Sequence, residues 1–323
     1  MRKADMVRLT VVALFLFFVV DIPAQKVEYP YPVQQFQLTL EGRPVQMAYM
    51  DIAPSKPNGQ SILLLHGKNF NGYYWRTVIP FLAEAGYRVI VPDQVGWGRS
   101  SKPNLHYSFH MLANNTRLLL DSIGVKNCTV VGHSMGGMLA TRFSLMFPSM
   151  VKQLVLENPI GLEDYKTFVP YKTISESYAG EKSASYESYK KYQQSYYPQW
   201  KPEYEQYVQA QAEALGTPEF DSAAWVNALT YQMIYEQPVA YEFRRLKLPV
   251  LLIMGQEDRT VVGKNLLSEQ EKKVRGNYPK LGKQLKAQIP AAKLIEIPGV
   301  GHIPHIQTPD IFMQHLFTFL NRP

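Results

Sequence analysis

Short apolar runs bounded by glycine, proline or charge recur along the chain, as in Ser61-Ile62-Leu63-Leu64-Leu65, Val250-Leu251-Leu252-Ile253-Met254 and Lys293-Leu294-Ile295-Glu296-Ile297. Runs of this length with little polar alternation read as strands covered on both faces. They predict parallel strands at 61 to 66, 87 to 92, 127 to 132, 151 to 157, 249 to 254 and 292 to 297. Upstream, residues 34 to 40 and 45 to 52 alternate around Glu41-Gly42-Arg43, the pattern of a β-hairpin at one edge of a sheet. Helices fill the intervals, notably 74 to 85, 108 to 123, 135 to 147 and 309 to 320. Alternating strand and helix signals predict an α/β fold with a mostly parallel sheet flanked by helices. Ligands in such sheets bind beyond the carboxyl ends of the strands.

One stretch breaks the pattern. Residues 161 to 246 have few apolar runs of strand length, yet they hold 13 of the 21 tyrosines and many glutamines. They read as an insertion, which divides the sheet domain into 25–160 and 247–323. Tyr186, Tyr189, Tyr192, Tyr196 and Tyr197 are spaced to share a helix face. Such a stripe predicts packing for most of these rings, with a minority lining a pocket.

The first 24 residues are different again. Arg2, Lys3 and Arg8 precede the apolar stretch Leu9 to Val20, and Ile22-Pro23-Ala24 offers a small residue for cleavage. This is the layout of a secretory signal peptide, and the apolar stretch falls short of the roughly 20 residues that a membrane span needs. The expectation is an exported chain, periplasmic or secreted, with an uncleaved membrane tether as the alternative. Cys128 is the sole cysteine and sits in a predicted strand, so it reads as a buried thiol. Removing residues 1 to 24 lowers the formal charge only from +7 to +6, so the basic balance lies elsewhere. Lys264, Lys272, Lys273, Arg275, Lys280, Lys283 and Lys286 supply much of it, in a segment long enough for a helix with an added turn or a second helix. A solvated face is the default reading of such a run. Basic and aromatic residues do not interleave as in a nucleic-acid module, which argues against a nucleic-acid partner. No residue cluster has metal-ligand spacing.

Gly132-His133-Ser134-Met135-Gly136 follows the run Cys128-Thr129-Val130-Val131, so a glycine-flanked serine stands where a strand turns into a helix. A turn that tight needs small residues two before and two after the serine, and it projects the hydroxyl from the end of the sheet. Serine is a weak nucleophile without a base and a carboxylate to orient that base. Downstream, Asp258 follows the strand ending at Met254, and His302 lies in the loop Pro298-Gly299-Val300-Gly301-His302 after the last strand. Two further stretches are distinctive: His66-Gly67-Lys68-Asn69-Phe70 after the strand at 61, and Asp93-Gln94-Val95-Gly96-Trp97-Gly98-Arg99-Ser100.

In that order these motifs resemble the α/β-hydrolase family, over nearly everything after residue 34. The resemblance implies a Ser134, Asp258, His302 triad, with Glu257 and Glu157 as alternative acids. It makes the amides of Met135 and Lys68 the oxyanion donors, with Asn69 as a substitute, and gives His66 and Gly67 a supporting role in the oxyanion loop. His133 is expected to pack in the core, His305 to brace the last helix, and Asp93 and Arg99 to brace a loop. Gln307 stands where the family often has Glu, a difference expected to touch helix capping. In relatives an insertion like 161–246 forms a helical cap of four or five helices, which favours a discrete ester-like small molecule over a bulk lipid phase. The implied activity is ester hydrolysis through an acyl-enzyme, without metal or organic cofactor. Thioesters, lactones, amides and carbon-carbon bonds are further possible targets, and a non-catalytic binding protein is the alternative of another class. Because the nucleophile is serine and not aspartate, likeness to the epoxide-hydrolase and dehalogenase branches implies architecture and not their alkyl-enzyme chemistry. The sequence leaves the oligomeric state open.

Overall fold

The computed structural model describes residues 26–321; the segment read as an export signal or tether, 1–24, lies outside them. Eight strands, β1 (Val33–Leu40), β2 (Arg43–Ile52), β3 (Ser61–Leu65), β4 (Arg88–Pro92), β5 (Cys128–His133), β6 (Val151–Glu157), β7 (Val250–Gly255) and β8 (Lys293–Ile297), form one sheet in the order β1-β2-β4-β3-β5-β6-β7-β8. β1 pairs antiparallel with β2 and β2 with β4, and the other pairs are parallel. Every strand expected from the sequence is present, displaced by at most two residues at its ends. The β1–β2 hairpin turns at Glu41 and Gly42, whose φ angles of 47° and 73° are both positive, as a two-residue turn matched to strand twist demands.

Side chains alternate between two cores. Leu63, Leu65, Ile90, Val130, Leu154, Leu252 and Met254 pack on one face, with Leu112 and Leu119 of α2 (Phe109–Ser122), Leu139 and Phe143 of α3 (Met135–Met146) and Leu285. Ile62, Leu64, Val89, Val131, Val155, Leu251 and Ile253 pack on the other, with Leu82 of α1 (Ile79–Glu84) and Phe312 and Leu316 near the C-terminus. Burial on both faces is why these strands are continuously apolar. The helix expected at 74–85 is two pieces, a 3-10 turn at Gly72–Thr77 and then α1, because Pro80 starts a new helix at its first turn.

Within 161–246 the chain forms α4 (Ile174–Lys182), α5 (Tyr186–Gln194), α6 (Glu205–Ala212) and α7 (Phe220–Glu236), a helical cap paired as α4 with α7 and α5 with α6. After β7 come α8 (Glu269–Val274) and α9 (Tyr278–Gln288), the second helix the basic segment had room for; α10 (Pro304–Gln307) and α11 (Pro309–Leu320) follow β8. Much of the basic charge there is paired on the surface, Lys272 with Glu269, Arg275 with Glu271 and Lys283 with Glu296. Cys128 is buried in β5, and burial pushes its thiol up to about 12, which keeps it protonated. Among the described residues no helix is long and apolar enough to cross a membrane.

The carboxyl end of β7 lies so close to the loop after β8 that a Cβ on Gly255 would stand 2.0 Å from the Gly301 carbonyl oxygen. Gly255→Ala must push the two backbones apart, and overpacking of this kind costs about 1–3 kcal/mol. The expected result is a lowered urea midpoint with an unchanged slope.

Candidate active site

Ser134 sits between β5 and α3 with φ of 57° and ψ of −121°, a strained conformation for a residue with a side chain. Three backbone hydrogen bonds hold it: its amide donates to Glu157 O, and its carbonyl accepts from Gly137 N and Ile160 N. The flanking glycines are there because nothing larger fits. A Cβ on Gly132 would meet Gly136 O at 2.3 Å, and one on Gly136 would meet Leu65 O at 2.2 Å.

His302 Nε2 lies 3.0 Å from Ser134 Oγ, and His302 Nδ1 lies 2.7 Å from Asp258 Oδ2. With the carboxylate as acceptor, Nδ1 carries the proton and Nε2 is free to accept from the serine hydroxyl. All three side chains are buried. Burial alone would push the Asp258 carboxyl up. The electrostatic attraction of the His302 ring and the hydrogen bonds from His302, from the Thr260 amide at 2.8 Å and from Asn158 Nδ2 at 2.7 Å together outweigh it, and the group lies below its ordinary value. Of the alternative acids, Glu157 is engaged by His305, whose amide and Nδ1 both donate to it, and Glu257 is exposed on the solvent side of its turn.

The loop after β3, where the oxyanion donors are expected, lies against the serine. A Cβ on Gly67 would come 3.1 Å from Ser134 Cβ. His66 donates from Nδ1 to Gly67 O and accepts the Gln94 amide at Nε2, and burial holds its imidazole below the usual range, so it stays neutral. Lys68 O accepts from Trp97 Nε1 at 2.6 Å. Met135 opens α3, where an amide has no carbonyl one turn back to donate to. Asn69 does not point its side-chain amide at the serine; Nδ2 donates to Tyr196 Oη at 2.9 Å. Asp93 accepts from the amides of Gly72 and Arg99 and from Tyr29 Oη, which ties three loops together.

Several supporting residues have no sequence signal. The Gly67 amide donates to Tyr74 Oη at 3.0 Å, Tyr74 Oη donates to His133 Nδ1 at 3.1 Å, and His133 Nε2 donates to the His302 carbonyl at 2.9 Å. This one-way chain joins the loop beside the serine to the backbone of the histidine. Burial, then the nearby His302 and His305, holds His133 well below the ordinary imidazole range and so neutral, and the His302 carbonyl, which can only accept, puts its proton on Nε2. Asn158, at φ of 36°, accepts the Gly255 amide while donating to Asp258. Gln307 accepts the Gly301 amide at 2.8 Å, so it braces the histidine loop and does not cap a helix.

The cap completes the enclosure. Tyr196 O accepts the His302 amide at 2.8 Å, and the Tyr196 ring stacks on the imidazole at 4.7 Å. Of the other striped tyrosines, Tyr186 donates to Glu205, Tyr197 stacks on Tyr204 and Tyr192 packs edge-on against Tyr196. Tyr189 lines a cavity of about 360 Å³ between the loop after β3, the loop at 96–102 and the cap. Among the described residues, no group of three or more His, Cys, Asp and Glu side chains could hold a metal ion.

A family model of the alpha/beta hydrolase fold matches residues 60–180. The structure is similar to that of a probable hydrolytic enzyme from Pseudomonas aeruginosa PAO1, with a TM-score of 0.90 and 47% identity over 91% of this chain and 96% of that one. In sequence, an uncharacterized protein of Mycobacterium tuberculosis H37Rv is 40% identical over 105 residues, 32% of this chain and 30% of that protein. Epoxide hydrolase B of the same organism is 40% identical over 98 residues, 30% of this chain and 28% of its own length. The match thus spans less than a third of either curated relative.

Tyr74→Phe removes the hydroxyl that joins Gly67 N to His133 and leaves both without their buried partner. An unsatisfied buried donor costs about 1–3 kcal/mol, so the variant is expected to lose that much stability in urea denaturation while keeping its far-UV spectrum.

Proposed function

The chain belongs to the α/β-hydrolase fold family, and from that premise we propose that it is a serine hydrolase, most simply a carboxylic ester hydrolase acting on a small to medium, discrete molecule. The observation that carries this reading is the relay of 3.0 Å from Ser134 Oγ to His302 Nε2 and 2.7 Å from His302 Nδ1 to Asp258, buried beyond the carboxyl ends of the strands.

In the proposed reaction Ser134 Oγ attacks the ester carbonyl carbon as His302 Nε2 takes its proton. The carbonyl oxygen gains the negative charge, which the amides of Met135 and Lys68 stabilise. The carbon–oxygen bond to the leaving alcohol then breaks, and that oxygen takes the proton back from His302. Water, deprotonated by the same histidine, hydrolyses the acyl-serine and returns the proton to Ser134. Asp258 holds the tautomer and stabilises the imidazolium. A serine at the elbow supports acyl transfer and not the alkyl-enzyme chemistry of branches with an aspartate there, even though one relative is an epoxide hydrolase. The closed cap supports a discrete substrate over a lipid phase.

The test is hydrolysis of 4-nitrophenyl acyl esters, short to long, by the wild type and Ser134→Ala. Turnover with a chain-length optimum, falling by a factor on the order of 10⁶ in the variant, is expected. Equal turnover by both would sink the assignment, and failure to react with a serine-directed phosphonate would turn it toward a binding role. Export is part of the same proposal, supported by Arg2, Lys3, Arg8 and the apolar stretch to Val20. An intact mass lacking about the first 24 residues is expected for the mature protein, whereas the full mass in a membrane fraction would favour the tether.

A further inference from the structure

The cavity beside the loop after β3 is lined by more bases than acids. Lys68 to Asn71, directly after the glycine that lies against Ser134, form part of its wall, and its volume is about 360 Å³, room for a small ligand. Lys26, Lys68, Arg99 and Lys102 line it with two carboxylates, Glu213 and Glu219, and Lys68 is paired from outside the lining with Glu181 at 3.8 Å. Glu213 is engaged by the Val27 amide at 2.5 Å and by Arg99 at 3.5 Å, and the Glu219 carboxyl is lowered first by a hydrogen bond with the Thr217 side chain.

Lys102 is the informative residue. Its ammonium donates to the carbonyls of Gly98 at 2.7 Å and Ser100 at 3.3 Å, and among the described residues no carboxylate stands within ion-pair distance of it. Burial holds it below the ordinary lysine value, outweighing the attraction of Asp93, Glu213 and Glu219, none of which is close enough to pair with it. Trp97, Tyr189 and Phe70 give the cavity apolar walls. A half-buried ammonium on the wall of a partly aromatic cavity suits a ligand with an apolar spacer and an anionic oxygen group.

We propose that this cavity holds the free carboxylate of an ester substrate against Lys102, with the scissile carbonyl reaching back past Lys68 to Ser134, so that the substrate class is carboxylate-bearing esters. The proposal rests on the serine-hydrolase reading and narrows it.

Two matched pairs test it: mono-4-nitrophenyl glutarate against its methyl-capped diester, and 4-acetoxybenzoate against its methyl ester, which put the anion on the acyl or the alcohol side. In at least one pair the anionic member should show a kcat/KM about tenfold or more above the neutral one, as one buried charge-assisted contact gives. That ratio should collapse about tenfold in Lys102→Gln, be largely retained in Lys102→Arg, and be untouched by Lys273→Gln, which removes the same charge from an exposed position on α8. A ratio at or below one in both pairs, or an unchanged ratio in Lys102→Gln, overturns the proposal. If neutral esters are turned over in a Ser134-dependent way without any such preference, the hydrolase reading stands and this one fails. If no ester is turned over, calorimetric titration of the full chain with glutarate decides by itself: binding lost in Lys102→Gln and kept in Lys102→Arg upholds the cavity's role, and no binding to the wild type rejects it.

Discussion

A serine held at φ of 57° and ψ of −121° is the constraint around which the rest of this molecule is arranged. The conformation is unfavourable by itself, on the order of 1–3 kcal/mol, so it persists only where its surroundings leave no alternative. Those surroundings are the end of β5, packed between β3 and β6, and the start of α3, which crosses so near the sheet that Gly136 touches the backbone of Leu65. The Ser134 amide and carbonyl are anchored to β6 and to the turn after it. Two well-packed cores, one on each face of the sheet, supply the stability against which this local cost is set.

The same geometry explains which parts of the site are legible in the sequence. A steric requirement leaves a residue-type signature, so the elbow shows in Gly132, Ser134 and Gly136, and strands buried on both faces show as unbroken apolar runs. The positions of Asp258 and His302 follow from where β7 and β8 end. What holds these residues in register leaves no such mark. Tyr74 meets His133 across 59 positions of chain and Asn158 meets Asp258 across 100, each through a polar side chain of a type common in surface loops. Gln307 differs in role from its expected one because its partner, the Gly301 amide, is fixed by a loop whose path no local pattern encodes. Contacts made by main-chain atoms are more hidden still, since Tyr196 O would be present whatever residue stood there.

Local rules also fail where one residue overrides a longer pattern. The apolar periodicity over 74–85 suits a single helix, yet Pro80 lacks the donor to continue one and starts another. In the cap, the tyrosine stripe divides among a hydrogen bond to a carboxylate, ring stacks, the His302 imidazole and the cavity, because packing between helices, not spacing along one, decides which way each ring faces.

The carbonyl of Tyr196 reaches the His302 amide from within the cap, and the ring of the same residue lies flat on the imidazole. The insertion is therefore part of the mounting of His302, as well as the roof over it. A grafted cap that reproduces the pocket walls but not this one main-chain contact would leave the His302 amide without its acceptor, so a remodelled cap must keep the path of the chain at this point while everything beside it is free to change.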